Sequence, residues 1–280
     1  MRYERELEIA RMAAREAGRI ARDSYSTLTA GDVSEKRTND LVTSIDIHAQ
    51  VAIISRIRNV FKDDYIIAEE SLPDDVNKGI PPNTAHRWYI DPLDGTTNYI
   101  HAFPMFAASI AMEENGTMVV GVTYDPMRDE MFHAVRGHGA FLNDRPIHVS
   151  DISDINKTLL GTGFPFKARA LLDDYLKTFR LFFNSSRGLR RAGSATLDFA
   201  YVAAGRLDGF WEMTLSPWDM AAGIVLVEEA GGRVTDFYGG DDIIDMGHVV
   251  ATNNSDFHDW MCDEIEKVFP KDGDYKLPKI

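Results

Sequence analysis

The segment Arg87-Trp88-Tyr89-Ile90-Asp91-Pro92-Leu93-Asp94-Gly95-Thr96-Thr97-Asn98 joins a short β-prone run to a turn that carries two acids. Pro92 fixes the backbone after Asp91, and Gly95 lets the chain turn tightly into a short helix. The amides of Gly95 and Thr96 would point outward from that helix start, where phosphate binds. The two carboxylates suit a hard cation such as magnesium. A plain turn with a capping residue is the alternative, since these residue types dominate turns.

A second β-prone run, Tyr65-Ile66-Ile67-Ala68, also stops immediately before an acid, Glu69. Strand ends deliver side chains to a shared edge of a layered fold, so Glu69 and Asp91 can converge. Glu70 follows directly, and the alternation of side chains along a strand allows only one of the two glutamates to point inward. The alternative is that both lie on a solvated face.

A third segment, from Phe210 to Gly223, contains Ser216-Pro217-Trp218-Asp219. Pro217 suits the first turn of a helix, which places Asp219 within that turn. A negative charge there is favoured by the helix dipole, and this is also the simpler explanation of the acid.

Composition limits the classes of function. The 280 residues carry a formal net charge of −14, a field that repels both nucleic acid and phosphate esters. A phosphate-ester site therefore has to include cations. The single cysteine, Cys262, excludes an intramolecular disulfide and suits the cytoplasm. Residues 1–22 contain no apolar stretch typical of a signal peptide or membrane span. We expect a cytoplasmic protein with no membrane or direct nucleic-acid partner.

Hydrophobic periodicity predicts a long helix over 3–26, an exposed loop over 29–40, and a helix over 43–60. The second helix is expected to bury a stripe of Ile47, Val51, Ile54 and Ile57. Later runs predict an antiparallel meander over 105–135, then alternating strands and helices over 158–231. Turn residues near 145–155 predict two lobes, an α+β lobe over 1–148 and an α/β lobe over 149–280.

Together these segments resemble the inositol monophosphatase family. The octet Asp91–Asn98 is similar to its first signature and the run Trp218–Gly223 to its second, while Ala68–Ser71 and Arg190–Asp198 match in type and order. The resemblance extends over about 5–268. It implies an α+β fold, a layered αβαβα sandwich of the sugar-phosphatase type, with the active site between two lobes. It also implies a homodimer.

The resemblance assigns roles by position. It implies that magnesium is held by Glu69, Asp91, Asp94, Asp219 and the carbonyl of Leu93. Asp46, Thr96 and Glu69 match the residues that hold and orient the attacking water. The implied substrate contacts are Asp94, Gly95, Thr96, Ala195, Glu212 and Asp219. The loop around Lys36 matches a mobile loop that helps to seal a metal site.

The implied activity is magnesium-dependent, lithium-sensitive hydrolysis of a small polyol or sugar phosphate monoester, with inositol monophosphate as the first candidate. One alternative is fructose-1,6-bisphosphatase or a dual-specificity sugar phosphatase, which needs a basic group near the distal phosphate. The basic island of Arg187, Arg190 and Arg191 supports it, although salt bridges or a subunit contact also explain the island. Another alternative is a regulatory protein-binding role in a transcription complex. A zinc site is disfavoured because the histidines lack zinc-like spacing.

Overall fold

A computed structural model describes residues 2–26, 33–37, 40–71, 76–254 and 256–271, with only the backbone described for 33–37 and 40–42. The helices are α1 (Glu4–Asp23), α2 (Ser44–Arg58), α3 (Thr96–Ile100), α4 (Leu172–Ser185), α5 (Ala195–Ala203), α6 (Pro217–Glu229), α7 (Ile243–Met246) and α8 (Phe257–Val268). The strands are β1 (Val33–Arg37), β2 (Asp40–Thr43), β3 (Tyr65–Ala68), β4 (His86–Asp94), β5 (Ala107–Glu114), β6 (Thr117–Asp125), β7 (Glu130–Val135), β8 (Ala140–Leu142), β9 (Arg145–Ile147), β10 (Leu159–Thr162), β11 (Gly188–Arg190), β12 (Gly209–Met213), β13 (Arg233–Thr235) and β14 (His248–Thr252).

The elements stack in five layers. Helices α1 and α2 cover one face of a seven-stranded sheet, and α5 and α6 lie between that sheet and a five-stranded one. Helices α4 and α8 cover the outer face of the second sheet. Each sheet therefore buries both faces, which explains its long apolar runs. The predicted αβαβα sandwich is confirmed.

The seven-stranded sheet has the order β3-β4-β5-β6-β7-β8-β9. Strand β3 runs parallel to β4, and every later pair is antiparallel, so the predicted meander is present. The five-stranded sheet has the order β11-β10-β12-β14-β13, with β11 and β12 parallel to β10 and β14 antiparallel to β12. The division into lobes at 148 and 149 stays a prediction, because α5 and α6 share one hydrophobic cluster with strands of both sheets.

The buried face of α2 differs from the predicted stripe. Ile54 and Ile57 are buried, but Ile47 and Val51 are 49% and 52% exposed. The helix turns Ala49 and Ile53 inward instead, because it packs against α1 and β4 together. Periodicity alone did not distinguish these two faces.

The predicted loop over 29–40 contains an ordered hairpin. Strand β1 pairs antiparallel with β2, and Val33 lies opposite Thr43. The remaining residues of that loop, and the side chain of Lys36, lie outside the described residues, so its sealing role stays a prediction. Within the described ranges, no helix is both long enough and apolar enough to cross a membrane.

Candidate active site

The first two acids lie side by side because β3 and β4 are parallel neighbours. The amide of Glu69 donates to the carbonyl of Ile90 at 3.1 Å, which brings Glu69 next to Asp91. Strand β4 continues past Asp91 through an irregularity and ends at Asp94. The amide of Leu93 donates to Oδ1 of Asp91 at 3.0 Å, so this acid also orders its own turn. Glu70 is buried, with its amide donating to Oε1 of Gln50 at 2.9 Å.

Asp94 is fixed by a residue pair from the second half of the chain. Its Oδ2 accepts from Oγ of Ser194 at 2.6 Å. The same oxygen accepts from Oγ1 of Thr196 at 2.7 Å and from its amide at 2.9 Å. Ser194 and Thr196 flank the start of α5. These bonds use one carboxylate oxygen of Asp94 and orient the other.

Gly95 and Thr96 form the turn into α3. Gly95 has φ +93°, and a Cβ there would lie 2.7 Å from the carbonyl oxygen of Met105, so only glycine fits. The hydroxyl of Thr96 lies 3.1 Å from Oδ1 of Asp46 and 3.0 Å from the carbonyl oxygen of Leu93. Asp46 is fully buried, and its Oδ2 accepts from the amide and hydroxyl of Thr43 at the start of α2. The predicted pairing of Asp46 with Thr96 is therefore present.

Asp219 lies in the first turn of α6, as predicted. Its Oδ2 accepts from the amide of Ser216 at 2.7 Å, which satisfies an orphan donor at the helix start. The hydroxyl of Ser216 accepts in turn from Nζ of Lys167 at 2.9 Å. Asp219 therefore caps the start of α6 and also lies near the other acids.

The four acids converge. Burial, followed by the neighbouring charges of Glu69, Asp94 and Asp219, raises the pKa of Asp91 well above its usual range. The carboxyl groups of Glu69 and Asp219 therefore lie close to that of Asp91. Burial also raises the pKa of Asp219 to about 6, opposed by the charge of Lys167. Within the described residues, no group of three or more acids, histidines or cysteines is spaced to hold a metal ion.

Glu212 lies at one side of this cluster. A Cβ on Gly163 would lie 1.9 Å from Oε1 of Glu212, so the glycine is the reason that the carboxylate fits. Burial raises the pKa of Glu212 to about 8, an effect opposed by Arg191 and reinforced by Asp219 and Asp94. Ala195 is buried at the first position of α5.

Several residues near the site were not identified from the sequence alone. Ser194 and Thr196 hold Asp94, Lys167 holds Ser216, and Gly163 makes room for Glu212. Asp198 is fully buried, and among the described residues its Oδ1 has no hydrogen-bond partner. The run Arg190–Asp198, which matches the family in type and order, is the signal that could have indicated Ser194 and Thr196.

With this geometry in place, comparison with known proteins decides the family. A model described as the inositol monophosphatase family matches residues 2–269. The chain belongs to the inositol monophosphatase family. Membership confirms the family resemblance and supports the predicted phosphatase class.

Individual relatives carry two kinds of name. A protein named Nus factor SuhB from Pseudomonas aeruginosa is 46% identical over 253 residues, covering 90% of this chain and 92% of that protein. The solved structure of extragenic suppressor protein suhB from Bartonella henselae has a TM-score of 0.87 at 39% identity and covers 94% of this chain and 99% of that chain. An inositol monophosphatase from Anabaena has a TM-score of 0.83 at 38% identity, covering 95% and 97%.

Proposed function

We propose that the chain is a magnesium-dependent phosphatase that hydrolyses a small polyol or sugar phosphate monoester, with inositol monophosphate as the leading substrate. The observation that carries the proposal is the convergence of Glu69, Asp91, Asp94 and Asp219 from three separate parts of the chain. Burying like charges together is costly unless a cation compensates them.

The chemistry of the donor set suits magnesium. All donors are hard oxygens, the four carboxylates and the carbonyl of Leu93. When bound, magnesium lowers the pKa of water and neutralises charge on a phosphoryl group. One oxygen each of Asp94 and Asp219 is already occupied by hydrogen bonds from Thr196 and Ser216. Their second oxygens are therefore held in fixed directions.

Thr96, Asp46 and Glu69 orient the attacking water in this proposal. The hydroxyl of Thr96 donates its one proton to Oδ1 of Asp46 or to the carbonyl of Leu93, which leaves a lone pair of the hydroxyl oxygen for the water. The oxygen of Thr96 is then an acceptor for a proton of the water. Glu69, next to Asp91, is the second acceptor, so the two together direct a lone pair of the water toward phosphorus for in-line attack.

The substrate would lie between the turn at Gly95 and Thr96 and the side formed by Ala195 and Glu212. Glu212 accepts hydrogen bonds from hydroxyl groups of the polyol, while Asp94 and Asp219 lie close to the phosphate. Arg191 is the member of the basic island whose charge acts on Asp94 and Glu212, and its guanidinium packs over the ring of Phe166 at 5.1 Å.

The test is phosphate release by wild type and by Asp94→Asn, with and without magnesium. We expect Asp94→Asn to lower turnover by about 100-fold or more, because it weakens cation binding where charge develops. Asp259→Asn is the matched control, since Asp259 pairs with Arg233 in an exposed ion pair. Near-normal magnesium-dependent turnover in Asp94→Asn with an unchanged circular dichroism spectrum would contradict the mechanism. Lithium inhibition is expected in the same assay.

The substrate is decided by a panel that includes inositol phosphates and fructose 1,6-bisphosphate. The proposal predicts the largest kcat/KM for an inositol monophosphate. The position of Arg191 favours the sugar bisphosphate as the second candidate, since Arg191 is a basic group near the site. Preference for fructose 1,6-bisphosphate that Arg191→Gln abolishes would establish that alternative.

The name Nus factor SuhB of relatives such as the one at 46% identity favours a regulatory candidate, a protein-binding role in a transcription complex. A regulatory role can be tested separately from catalysis. If regulation is the main role, cells that carry Asp94→Asn in place of wild type keep the wild-type phenotype although phosphatase activity is lost. A cytoplasmic homodimer remains part of the proposal, and sedimentation of the purified chain tests the dimer.

A further inference from the structure

Helix α1 presents a row of arginines on one face. Arg11, Arg15, Arg19 and Arg22 are spaced by four, four and three residues, which places them on one side of a helix. This is a local concentration of positive charge in a chain whose formal net charge is −14. The row lies apart from the carboxylate cluster and shares no residue with it.

Three of these arginines line a surface cavity of about 520 Å³. Arg15, Arg19 and Arg22 contribute from α1, Arg56 from α2, and Tyr124 from β6. The remaining lining includes two carboxylates, Glu16 and Asp129, so positive groups outnumber negative ones. The volume falls within the range of small-molecule sites.

The acids near the cavity are already engaged. Glu16 accepts from Nε of Arg56 at 3.0 Å, and Asp23 pairs with Arg19 at 3.0 Å. Asp129 accepts from the hydroxyl of Tyr124 at 2.8 Å.

Two cations in the cavity remain available. Within the described part of the chain, Arg15 and Arg22 form no ion pair. The guanidinium of Arg15 lies 5.6 Å from the centre of the Tyr124 ring, which restricts its position.

We propose that this cavity binds a small ligand that carries at least two phosphate groups. Arginine forks match phosphate oxygens in pairs, so Arg15 and Arg22 are each suited to one phosphate. Seven residues of helix separate their Cα atoms by about 10 Å along the axis, and two long arginine side chains that line one cavity can span that distance to reach two linked phosphates. A nucleic acid is disfavoured because the longer polyanion would meet the negative field of the rest of the chain.

The experiment is calorimetric titration with pyrophosphate in EDTA at low ionic strength, so that magnesium at the carboxylate cluster does not contribute. We expect one binding site in wild type, weakened by rising salt. The double variant Arg15→Gln/Arg22→Gln should weaken binding by about 100-fold, roughly tenfold for each charge-assisted contact. The control is Arg145→Gln/Arg180→Gln, which removes the same charge from exposed positions elsewhere and should bind like wild type.

Three results would overturn the proposal. The first is no binding of pyrophosphate to wild type. The second is equal weakening in both double variants, which would show a non-specific charge effect. The third is a single-stranded oligonucleotide that displaces pyrophosphate and binds more tightly at equal phosphate concentration, which would indicate a nucleic-acid surface. Circular dichroism checks that each variant is folded.

Discussion

Gly121 determines how closely α6 approaches the seven-stranded sheet. A Cβ at this position in β6 would lie 2.5 Å from the carbonyl oxygen and 3.1 Å from the Cα of Ala222. Both are backbone atoms of α6, so no side-chain rotation relieves the clash. Ordinary contacts between such atoms begin near 3.4 Å, and Gly121→Ala must therefore push the helix and sheet apart by roughly 0.5–1 Å.

This displacement has two consequences. Overpacking at a buried contact lowers the free energy of unfolding by about 1–3 kcal/mol. Because Asp219 lies one turn before Ala222 on the same helix, its carboxylate also moves away from Asp91. A misplacement of about 1 Å in a reacting site can lower turnover by roughly 100-fold, so we expect a loss of between tenfold and 100-fold.

Urea unfolding and magnesium-dependent phosphate release measure the two effects separately. Gly188→Ala is the control, because a Cβ there would lie 3.6 Å from Cδ1 of Leu159 and 3.7 Å from Nη1 of Arg190, both ordinary contacts. If Gly121→Ala retains both the unfolding midpoint and the turnover of wild type, the close helix–sheet approach does not position Asp219, and the reasoning fails.

Other predictions address single contacts. Gly163→Ala should raise KM about tenfold or more with little change in kcat, because its Cβ displaces the Glu212 carboxylate that we assign to substrate hydroxyls; an unchanged KM would remove that role. Thr96→Val should lower kcat by roughly 100-fold or more while Thr96→Ser stays close to wild type, as measured by steady-state kinetics, because only the serine keeps the hydroxyl that Asp46 orients. Burial lowers the pKa of His258 from 6.5 to about 4. As the pH falls, His258 is therefore protonated in the unfolded chain before it is protonated in the folded one, and the free energy of unfolding decreases between pH 6.5 and 4. Between pH 7 and 5 this effect lowers the free energy of unfolding by about 2 kcal/mol. Urea unfolding at both pH values should show that His258→Gln loses about 2 kcal/mol less stability than wild type over this range.

Much of the fold is readable from local pattern. The β-prone runs before Glu69 and Asp91, the meander that follows, and the helix beginning at Pro217 all lie close to where periodicity and turn chemistry place them. These signals come from residues that lie only a few positions apart in the sequence, so they do not depend on tertiary contacts. The turn that follows Asp94 could also be predicted locally, because a glycine comes directly after this acid.

The tertiary structure alone decided what holds those acids. Ser194 and Thr196 reach Asp94 from 100 and 102 residues away. Gly163, directly after β10, meets Glu212 of the neighbouring strand β12. The face that α2 buries was also decided by packing, since two apolar stripes competed. Local pattern specifies which elements form, whereas contacts between distant elements depend on how the layers pack, and no short stretch of sequence contains that information.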